Sequence, residues 1–165
     1  GIDSTFEMAF AKSQLAVSQT LPSEGSVLLS VSGANKSPIV DIGSRFAKMG
    51  FDVMATPGTH RVLKAAGVDA SIVRKIAEGR PNAIDHIKNG ELSLAVITPT
   101  HRGATFDEGK LRAELVANRV PYVTTMPGAI ALTAAIEALR AKDYGVKPLQ
   151  DYHQDIADAR DAVGG

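Results

Sequence analysis

Residues 26–59 read SVLLSVSGANKSPIVDIGSRFAKMGFDVMATPGT, and this stretch decides the fold. The apolar run Ser26–Val31 predicts a short buried strand, and Phe51–Ala55 predicts a second one. Between them, Pro38 predicts the first residue of a helix that Gly50 closes, because proline suits a first helical turn and glycine suits a helix end. A strand, a helix and another strand in this order indicate a parallel βαβ unit.

The same alternation continues along the chain. Further strands are predicted at Ile72–Val73, Leu92–Ile97 and Val120–Thr124, and further helices at Thr59–Ala66, Pro81–Asn89, Phe106–Asn118 and Pro127–Arg140. An opening helix is predicted through Phe6, Phe10 and Leu15, with Ser4 as its N-cap and Glu7 completing a capping box. A polar helical tail is predicted after residue 149. We therefore predict an α/β fold, a three-layer, Rossmann-like parallel sheet of about five strands flanked by helices.

The composition excludes several classes of protein. The 18 Lys and Arg residues balance 18 Asp and Glu residues, so no nucleic acid or anionic membrane is expected as a partner. The absence of cysteine excludes disulfides, thiolate metal sites and a cysteine nucleophile. No apolar run approaches membrane-spanning length and the start does not resemble a signal peptide, so a cytoplasmic location is expected. Because the chain begins at Gly1 without a methionine, we also expect a fragment or a processed chain.

Polar residues follow four of the predicted strands, where parallel sheets bind ligands. The residues concerned carry hydroxyls, glycines and a few cations: Ser30, Ser32–Lys36, Thr56–Thr59, Thr98, Thr100–Arg102, Thr124, Thr125 and Gly128. Taken alone, Thr56–Thr59 is typical of an ordinary turn in which threonine caps a helix. A glycine, two hydroxyls and a helix amino terminus also suit a phosphate. Jointly, the four strand ends favour a small anionic ligand.

Catalytic and metal-binding motifs are weak. The loop at residues 103–110 differs from a phosphate-binding loop, because five residues separate Gly103 from Gly109 where that motif has four, and Leu111 replaces the magnesium-binding hydroxyl. Asp85 and His86 are neighbours in a predicted helix and point in different directions. The histidines have no spacing typical of metal ligands, and they are His60, His86, His101 and His153. No metal site is predicted.

The strand-end segments, taken in order, resemble the carboxy-terminal allosteric domain of the large subunit of carbamoyl phosphate synthetase. The matching stretches are Phe6–Leu15, Leu28–Val31, Lys36–Asp41, Gly50–Thr59, Glu78–Pro81, Ile87–Glu91 and Tyr122–Gly128. The resemblance implies the methylglyoxal-synthase-like fold, a parallel five-stranded sheet between helices. It also implies that residues 1–22 form a connecting helix and linker from a preceding synthetase domain, and that residues 23–165 form the allosteric domain.

The resemblance implies a role for ten residues. In the bacterial family this domain binds the inhibitor UMP and the activator IMP in one pocket, and ornithine binds where the domain meets its neighbour. By position, the effector phosphate is expected to meet six residues, which are Ser30, Lys36, Thr56, Gly58, Thr59 and Lys75. The ribose and base are expected at Thr98 and Asp107, and the ornithine side at Tyr122 and Thr124.

The resemblance also implies binding partners and a catalytic activity that belongs to other parts of the parent protein. The parent would be a glutamine-dependent ligase of arginine and pyrimidine biosynthesis that uses ATP, magnesium and bicarbonate and works with a small glutaminase subunit. No cofactor is expected in this domain, and the chain alone is not expected to be an enzyme. The family pattern has asparagine and two threonines where this chain has Ile97, Thr98 and Pro99. Ile97 and Pro99 lack those polar groups, so the effector is expected to differ from UMP or IMP or to bind more weakly.

Two other functions remain open. Methylglyoxal synthase shares the fold but needs an aspartate shortly after a glycine pair, and residues 79–82 here contain no carboxylate. A structural module that forms a homo-oligomer is the third hypothesis, and it predicts assembly that ignores nucleotides.

Overall fold

The computed structural model describes residues 1–17, 20–99, 106–141, 145 and 148–153. The strands are β1 (Ser26–Ser30), β2 (Asp52–Ala55), β3 (Ser71–Ile72), β4 (Leu94–Ile97) and β5 (Tyr122–Val123). The helices are α1 (Phe6–Ala16), α2 (Ile39–Lys48), α3 (Pro57–Ala65), α4 (Ala83–Lys88), α5 (Phe106–Ala117) and α6 (Met126–Ala141). All strand pairs are parallel, in the order β3-β2-β1-β4-β5. The predicted α/β class with about five parallel strands is confirmed.

The central strand β1 lies at the point where the direction of winding reverses. The chain runs outward from β1 to β2 and β3, and then crosses to the other side of β1 to form β4 and β5. Ser30 at the end of β1 pairs with Ile97 at the end of β4. The segments that leave these two strands diverge, and such a divergence opens a crevice at the carboxyl edge of the sheet.

The sheet separates two apolar clusters because successive side chains of a strand point to opposite faces. In β1, Val27 and Leu29 pack with residues of α2, α3 and α6, whereas Leu28 packs with residues of α4 and α5. These three side chains are completely buried. Burial on both faces explains why β1 is a continuous apolar run and does not alternate with polar residues.

The structure corrects several predicted boundaries. Strand β1 ends at Ser30 and not at Val31, because the Val31 N–H donates to the hydroxyl of Thr59 at 3.2 Å. Helix α3 begins at Pro57 and not at Thr59, since Thr56 takes the N-cap position and Pro57 the first helical position. Helix α2 begins at Ile39, after Pro38. The other strands are also shorter or shifted, as their bounds above show.

The opening helix is present as predicted but has a different cap. Thr5, and not Ser4, is the N-cap, and its hydroxyl accepts from the Met8 N–H at 3.4 Å. Helix α1 packs against α6 with Met8 and Ala11 buried. Phe6 and Leu15 are 65% and 45% exposed, so not all the apolar positions that predicted this helix face the rest of the protein. The buried face of α1 is narrow and consists of small and flexible side chains.

The segment after α6 is described only in part. Residues 149–153 are helical, in agreement with the predicted tail, and the remainder of the tail lies outside the described residues. No helix in the described part of the protein is long and apolar enough to cross a membrane.

Candidate functional site

A cavity of about 330 Å³ opens beyond the carboxyl ends of β1, β2 and β4. It lies at the point where the strand order reverses, as expected for a parallel sheet. The residues that line it are Ser30, Val31, Ser32, Lys36, Thr56, Gly58, Thr59, Lys75, Ile76, Ala83, Ile97, Thr98, Asp107, Glu108 and Leu111. All six residues predicted to meet a phosphate are among them, together with Thr98 and Asp107.

The two residues predicted for the ornithine side lie elsewhere. Tyr122 is in β5, pairs with Ala95 and packs against the apolar cluster under α4 and α5. Thr124 follows directly on β5 and is half-buried. Neither is among the described residues that line the cavity. Thr100, His101 and Arg102 lie outside the described residues.

The amino terminus of α3 forms one wall of the cavity. Thr56 is its N-cap residue, but the Thr56 hydroxyl makes no capping hydrogen bond and donates instead to the Ser30 hydroxyl at 3.3 Å. Pro57 has no N–H, and within the described residues the Gly58 N–H has no acceptor. The partial positive charge of the helix end therefore faces the cavity without a protein cap.

A lysine ammonium lies over this helix end. A Cβ atom at Gly58 would stand 3.0 Å from the Lys36 Nζ, so the absence of a side chain at Gly58 leaves room for the ammonium. Lys36 is half-buried and makes no ion pair within the described residues. The ammonium and the helix amino terminus repel each other unless an anion lies between them.

A second lysine approaches from the segment after β3. Lys75 lines the same cavity and begins a short 3₁₀ turn, Ile76–Glu78, whose Glu78 carboxylate accepts from the Lys75 backbone N–H at 3.0 Å. The Lys75 ammonium has no ion-pair partner in the described part of the protein. Two lysines without an ion-pair partner among the described residues and a helix amino terminus thus line one cavity.

Thr59 and Thr98 use their hydroxyl oxygens to hold the segment after β1. Thr59 is 1% exposed and accepts from the Val31 N–H at 3.2 Å. Thr98 is 4% exposed and accepts from the Ser32 N–H at 2.9 Å. The two threonines therefore fix consecutive backbone groups of that segment, one from α3 and one from the end of β4.

The opposite side of the cavity combines two carboxylates with an apolar wall. Asp107 and Glu108 lie in the first turn of α5 and are half-buried. Ile97 is 1% exposed and belongs to the same apolar cluster as Leu111. This side offers acceptors for hydroxyl groups and a surface for an apolar or aromatic face.

Sequence reasoning missed Glu108 and the apolar lining. The position of Glu108 beside Asp107 in the first turn of a predicted helix was a usable signal, but the apolar lining residues were indistinguishable from core residues. Residues 79–82 lack a carboxylate, as the sequence indicated. Asn82, which stands in this segment, has a structural role. The Asn82 side chain caps α4 by accepting from the Ile84 N–H at 3.0 Å.

The neighbouring Asp85 has a structural role. Its carboxylate accepts from the Asn82 N–H at 2.8 Å and pairs with Arg80. The Arg80 guanidinium, and then the Asn82 N–H, hold the pKa of Asp85 below its ordinary value. Its neighbour His86 pairs with Glu91. No group of three metal-ligating side chains occurs among the described residues.

Comparison with known proteins gives consistent relatives. The protein is 42% identical over 93% of its length to the carbamoyl phosphate synthase large chain of Gemmatimonas aurantiaca, of which it covers 14%. It is 43% identical over 93% of its length to the chloroplastic, arginine-specific large chain of Oryza sativa subsp. japonica, of which it covers 13%. It is 41% identical over 93% of its length to the C-terminal section of the carbamoyl phosphate synthase of Methanopyrus kandleri, of which it covers 29%.

The protein thus spans 14% of the length of the first of these relatives. The family model described as "MGS-like domain" matches residues 38–124, which is more than half of the sequence. The matched region contains β2 to β5 and most of the residues that line the cavity. The chain therefore belongs to the MGS-like domain family.

Proposed function

We propose that this protein is the effector-binding domain of the large subunit of a glutamine-dependent carbamoyl phosphate synthetase and that its cavity holds the phosphate of a nucleoside monophosphate such as UMP or IMP. The observation that carries the proposal is the Lys36 ammonium lying over the uncapped amino terminus of α3. The names of the relatives support the identity of the parent.

A phosphate accounts for the polar groups on this side of the cavity. Its oxygens accept from the Gly58 N–H and from ammonium groups, and its charge removes the repulsion between Lys36 and the helix end. Lys75 supplies the second cation. The Thr59 hydroxyl oxygen accepts from the Val31 N–H, and the hydroxyl proton has no acceptor among the described residues. It is therefore free to donate to a phosphate oxygen.

We expect the sugar of the nucleotide on the carboxylate side of the cavity. Asp107 accepts hydrogen bonds and so suits ribose hydroxyls, and the negative charge on this side repels anions and orients the phosphate toward the lysines. The base would then lie against the apolar wall that contains Ile97 and Leu111. Such a wall contacts a purine and a pyrimidine without hydrogen bonds to either, so it favours weak discrimination between UMP and IMP.

The activity of the parent is part of the same proposal. Its ligase reaction would use ATP, magnesium and bicarbonate in other domains, with ammonia supplied by a small glutaminase subunit. Ornithine would bind near Tyr122 and Thr124, outside the cavity. Regulation then requires that the effector binds two states of the whole large subunit with different affinity, because an effector shifts an equilibrium only by its differential affinity.

The first test is titration of this protein with inorganic phosphate, UMP and IMP by calorimetry. We expect binding of all three, with the nucleotides tighter. Lys36→Met removes a hydrogen bond to a charged group, so affinity for each ligand should fall by about ten- to a hundredfold. Lys64→Met is the matched control, because it removes the same charge from the exposed, opposite end of α3.

The outcome decides between specific and general electrostatic binding. Equal losses in both variants would show that only overall charge matters. An absence of heat with all three ligands would exclude the proposed site.

A phosphate-lyase reaction is the second candidate, because Asp107 and Glu108 place carboxylates in the cavity. A carboxylate in the cavity would be the base in such a reaction if it lay within hydrogen-bond distance of the proton of a bound triose phosphate. Methylglyoxal production from dihydroxyacetone phosphate tests this. Turnover above background that Asp107→Asn abolishes would replace the effector proposal, whereas turnover at background would leave the effector site as the function.

A further inference from the structure

We propose that Thr98 acts as a positioning residue, which holds Lys36 in place through the turn after β1, and that it does not bind the effector itself. The inference rests on the proposed function, since it concerns how the phosphate-binding lysine is held. It departs from the expectation that Thr98 meets the ribose or base, although Thr98 lies at the edge of the cavity.

The hydrogen-bonding capacity of the Thr98 hydroxyl is used within the protein. Its oxygen accepts from the Ser32 N–H at 2.9 Å and from the Asn35 side-chain amide at 3.0 Å, which occupies both lone pairs. The hydroxyl oxygens of Thr98 and Ser32 lie 3.5 Å apart, which allows at most a weak bond from the Thr98 proton. A ligand that donates a hydrogen bond would have to displace one of the two accepted bonds to reach the hydroxyl oxygen.

The bonds of Thr98 reach both ends of a single turn. The 3₁₀ turn Gly33–Asn35 begins after Ser32 and ends at Asn35, and Lys36 follows immediately. The Asn35 amide also donates to the Ser32 hydroxyl at 3.1 Å, which closes the turn on itself. Because both ends of the turn are tied to one buried hydroxyl, the direction in which the Lys36 side chain leaves the turn depends on Thr98.

Thr98 is a firm attachment point. Its N–H donates to the Ser30 carbonyl at 3.0 Å, which continues the pairing of β1 with β4, and its side chain is 4% exposed. The turn that it holds is more exposed, and Gly33 contributes no side-chain contact. Without the two hydroxyl-mediated bonds, the turn would sample other conformations, and Lys36 would spend less time over the end of α3.

A double-mutant cycle tests whether Thr98 acts through Lys36. Phosphate affinity is measured by two-dimensional NMR from the shifts of the Gly58 and Thr59 amides, in the wild type, Thr98→Val, Lys36→Met and the double variant. Valine keeps the shape of threonine and removes the hydroxyl. We expect Thr98→Val to weaken phosphate binding about tenfold, the worth of about one hydrogen bond. In the Lys36→Met background we expect no further loss, because the residue being positioned is gone.

Three companion variants make the result specific. Thr98→Ser keeps the hydroxyl and should restore wild-type affinity. Asn35→Ala, made alone and together with Lys36→Met, removes the Asn35–Thr98 bond from the side of the turn, and alone it should repeat the loss even if Thr98→Val fails to fold. Thr133→Val is the matched control, because Thr133 is a fully buried threonine in α6 whose hydroxyl donates to the Ala129 carbonyl at 2.7 Å, and its loss should leave phosphate affinity unchanged.

The outcomes separate this inference from the proposed function. If the wild type binds phosphate and Thr98→Val or Asn35→Ala weakens binding equally in both backgrounds, Thr98 contributes independently of Lys36 and the inference is wrong. If the wild type binds and neither variant has an effect, the inference is also wrong while the proposed function stands. If the wild type binds no phosphate, the proposed function fails and the inference falls with it.

Discussion

At the scale of single residues, the site is recognisable by the absence of ordinary helix-capping interactions at the start of α3. Thr56 occupies an N-cap position and yet bonds to Ser30, so the first turn of α3 keeps a donor for a ligand. Gly58 has a helical backbone conformation that any residue can adopt, so a glycine is not needed there for backbone geometry. Its lack of a side chain instead leaves space in the cavity. The space is taken by the Lys36 ammonium. These departures from ordinary capping support an anion site more strongly than residue types alone.

The substitution Gly58→Ala should therefore separate binding from stability. The added Cβ would stand 3.0 Å from the flexible end of Lys36, so the lysine moves aside while the helix gains a better helix former. We expect phosphate affinity to fall about fivefold or more, the equivalent of about one hydrogen bond. The free energy of unfolding should be unchanged or slightly higher.

Calorimetry and urea denaturation measure these two quantities. The matched control is Gly109→Ala in α5, where an added Cβ meets no atom within 4 Å. It should raise stability without weakening binding. A Gly58→Ala variant that binds phosphate as tightly as the wild type would contradict the placement of Lys36.

At the scale of elements, an ion pair joins two helices on the same face of the sheet. Arg45 of α2 donates through Nε and Nη2 to the two carboxylate oxygens of Glu137 in α6, at 2.9 and 2.6 Å. The Arg45 guanidinium holds the pKa of Glu137 below its ordinary value of 4.5. Since the folded protein favours the charged carboxylate, the pair stabilises the fold at neutral pH, and this contribution is lost as the pH falls below about 4.5.

Glu137→Gln should reveal this contribution. The side chain of Glu137 is 39% exposed, so we expect the variant to lose only about 0.5–1 kcal/mol at pH 7. The difference from the wild type should be smaller at about pH 3, which lies below the ordinary pKa of Glu137, because protonation then stabilises the unfolded chain more than the folded, ion-paired form. Urea denaturation at the two pH values measures it. A deficit as large at the acidic pH as at neutral pH would indicate that packing, and not charge, is responsible.

At the scale of the whole molecule, the cavity joins segments that are far apart in sequence. Residues after β1, β2, β3 and β4 and at the start of α5 all line it. A ligand that binds there contacts both sides of the point where the strand order reverses. Binding should therefore stabilise the entire fold and not a single helix, because every one of these segments must be in place for the ligand to bind.

Thermal unfolding in increasing phosphate should show this linkage. At a free concentration about 100 times the dissociation constant, the gain is about 2.7 kcal/mol, which for a domain of this size raises the midpoint by about 5–10 °C. Lys36→Met should need a correspondingly higher concentration for the same rise. Chloride at matched ionic strength is the control, and an equal rise with chloride would indicate a general salt effect.

The amino-acid sequence by itself determined the layers, the succession of strands and helices, and the polar strand ends. Short apolar strands and helices that end at a glycine are set by local periodicity and backbone preference. Both are properties of neighbouring residues, so they can be recognised in the sequence. Residue types at Lys36, Thr56 and Gly58 likewise indicated an anion before any geometry was known, whereas Lys75 was implied only by the family resemblance. The resemblance supplied the names of the effectors, which periodicity alone does not contain.

Only the tertiary structure decided which of these residues meet. Strand order β3-β2-β1-β4-β5 brings the end of β4 beside the end of β1, and so gives Thr98 the turn of Asn35 as its partner across 63 residues. The same packing leaves Tyr122 outside the cavity and exposes Phe6. Contacts between distant segments depend on the path of the whole polypeptide. They also depend on which hydrogen-bond acceptors are already occupied by other groups of the protein. Neither is encoded in the spacing of nearby residues.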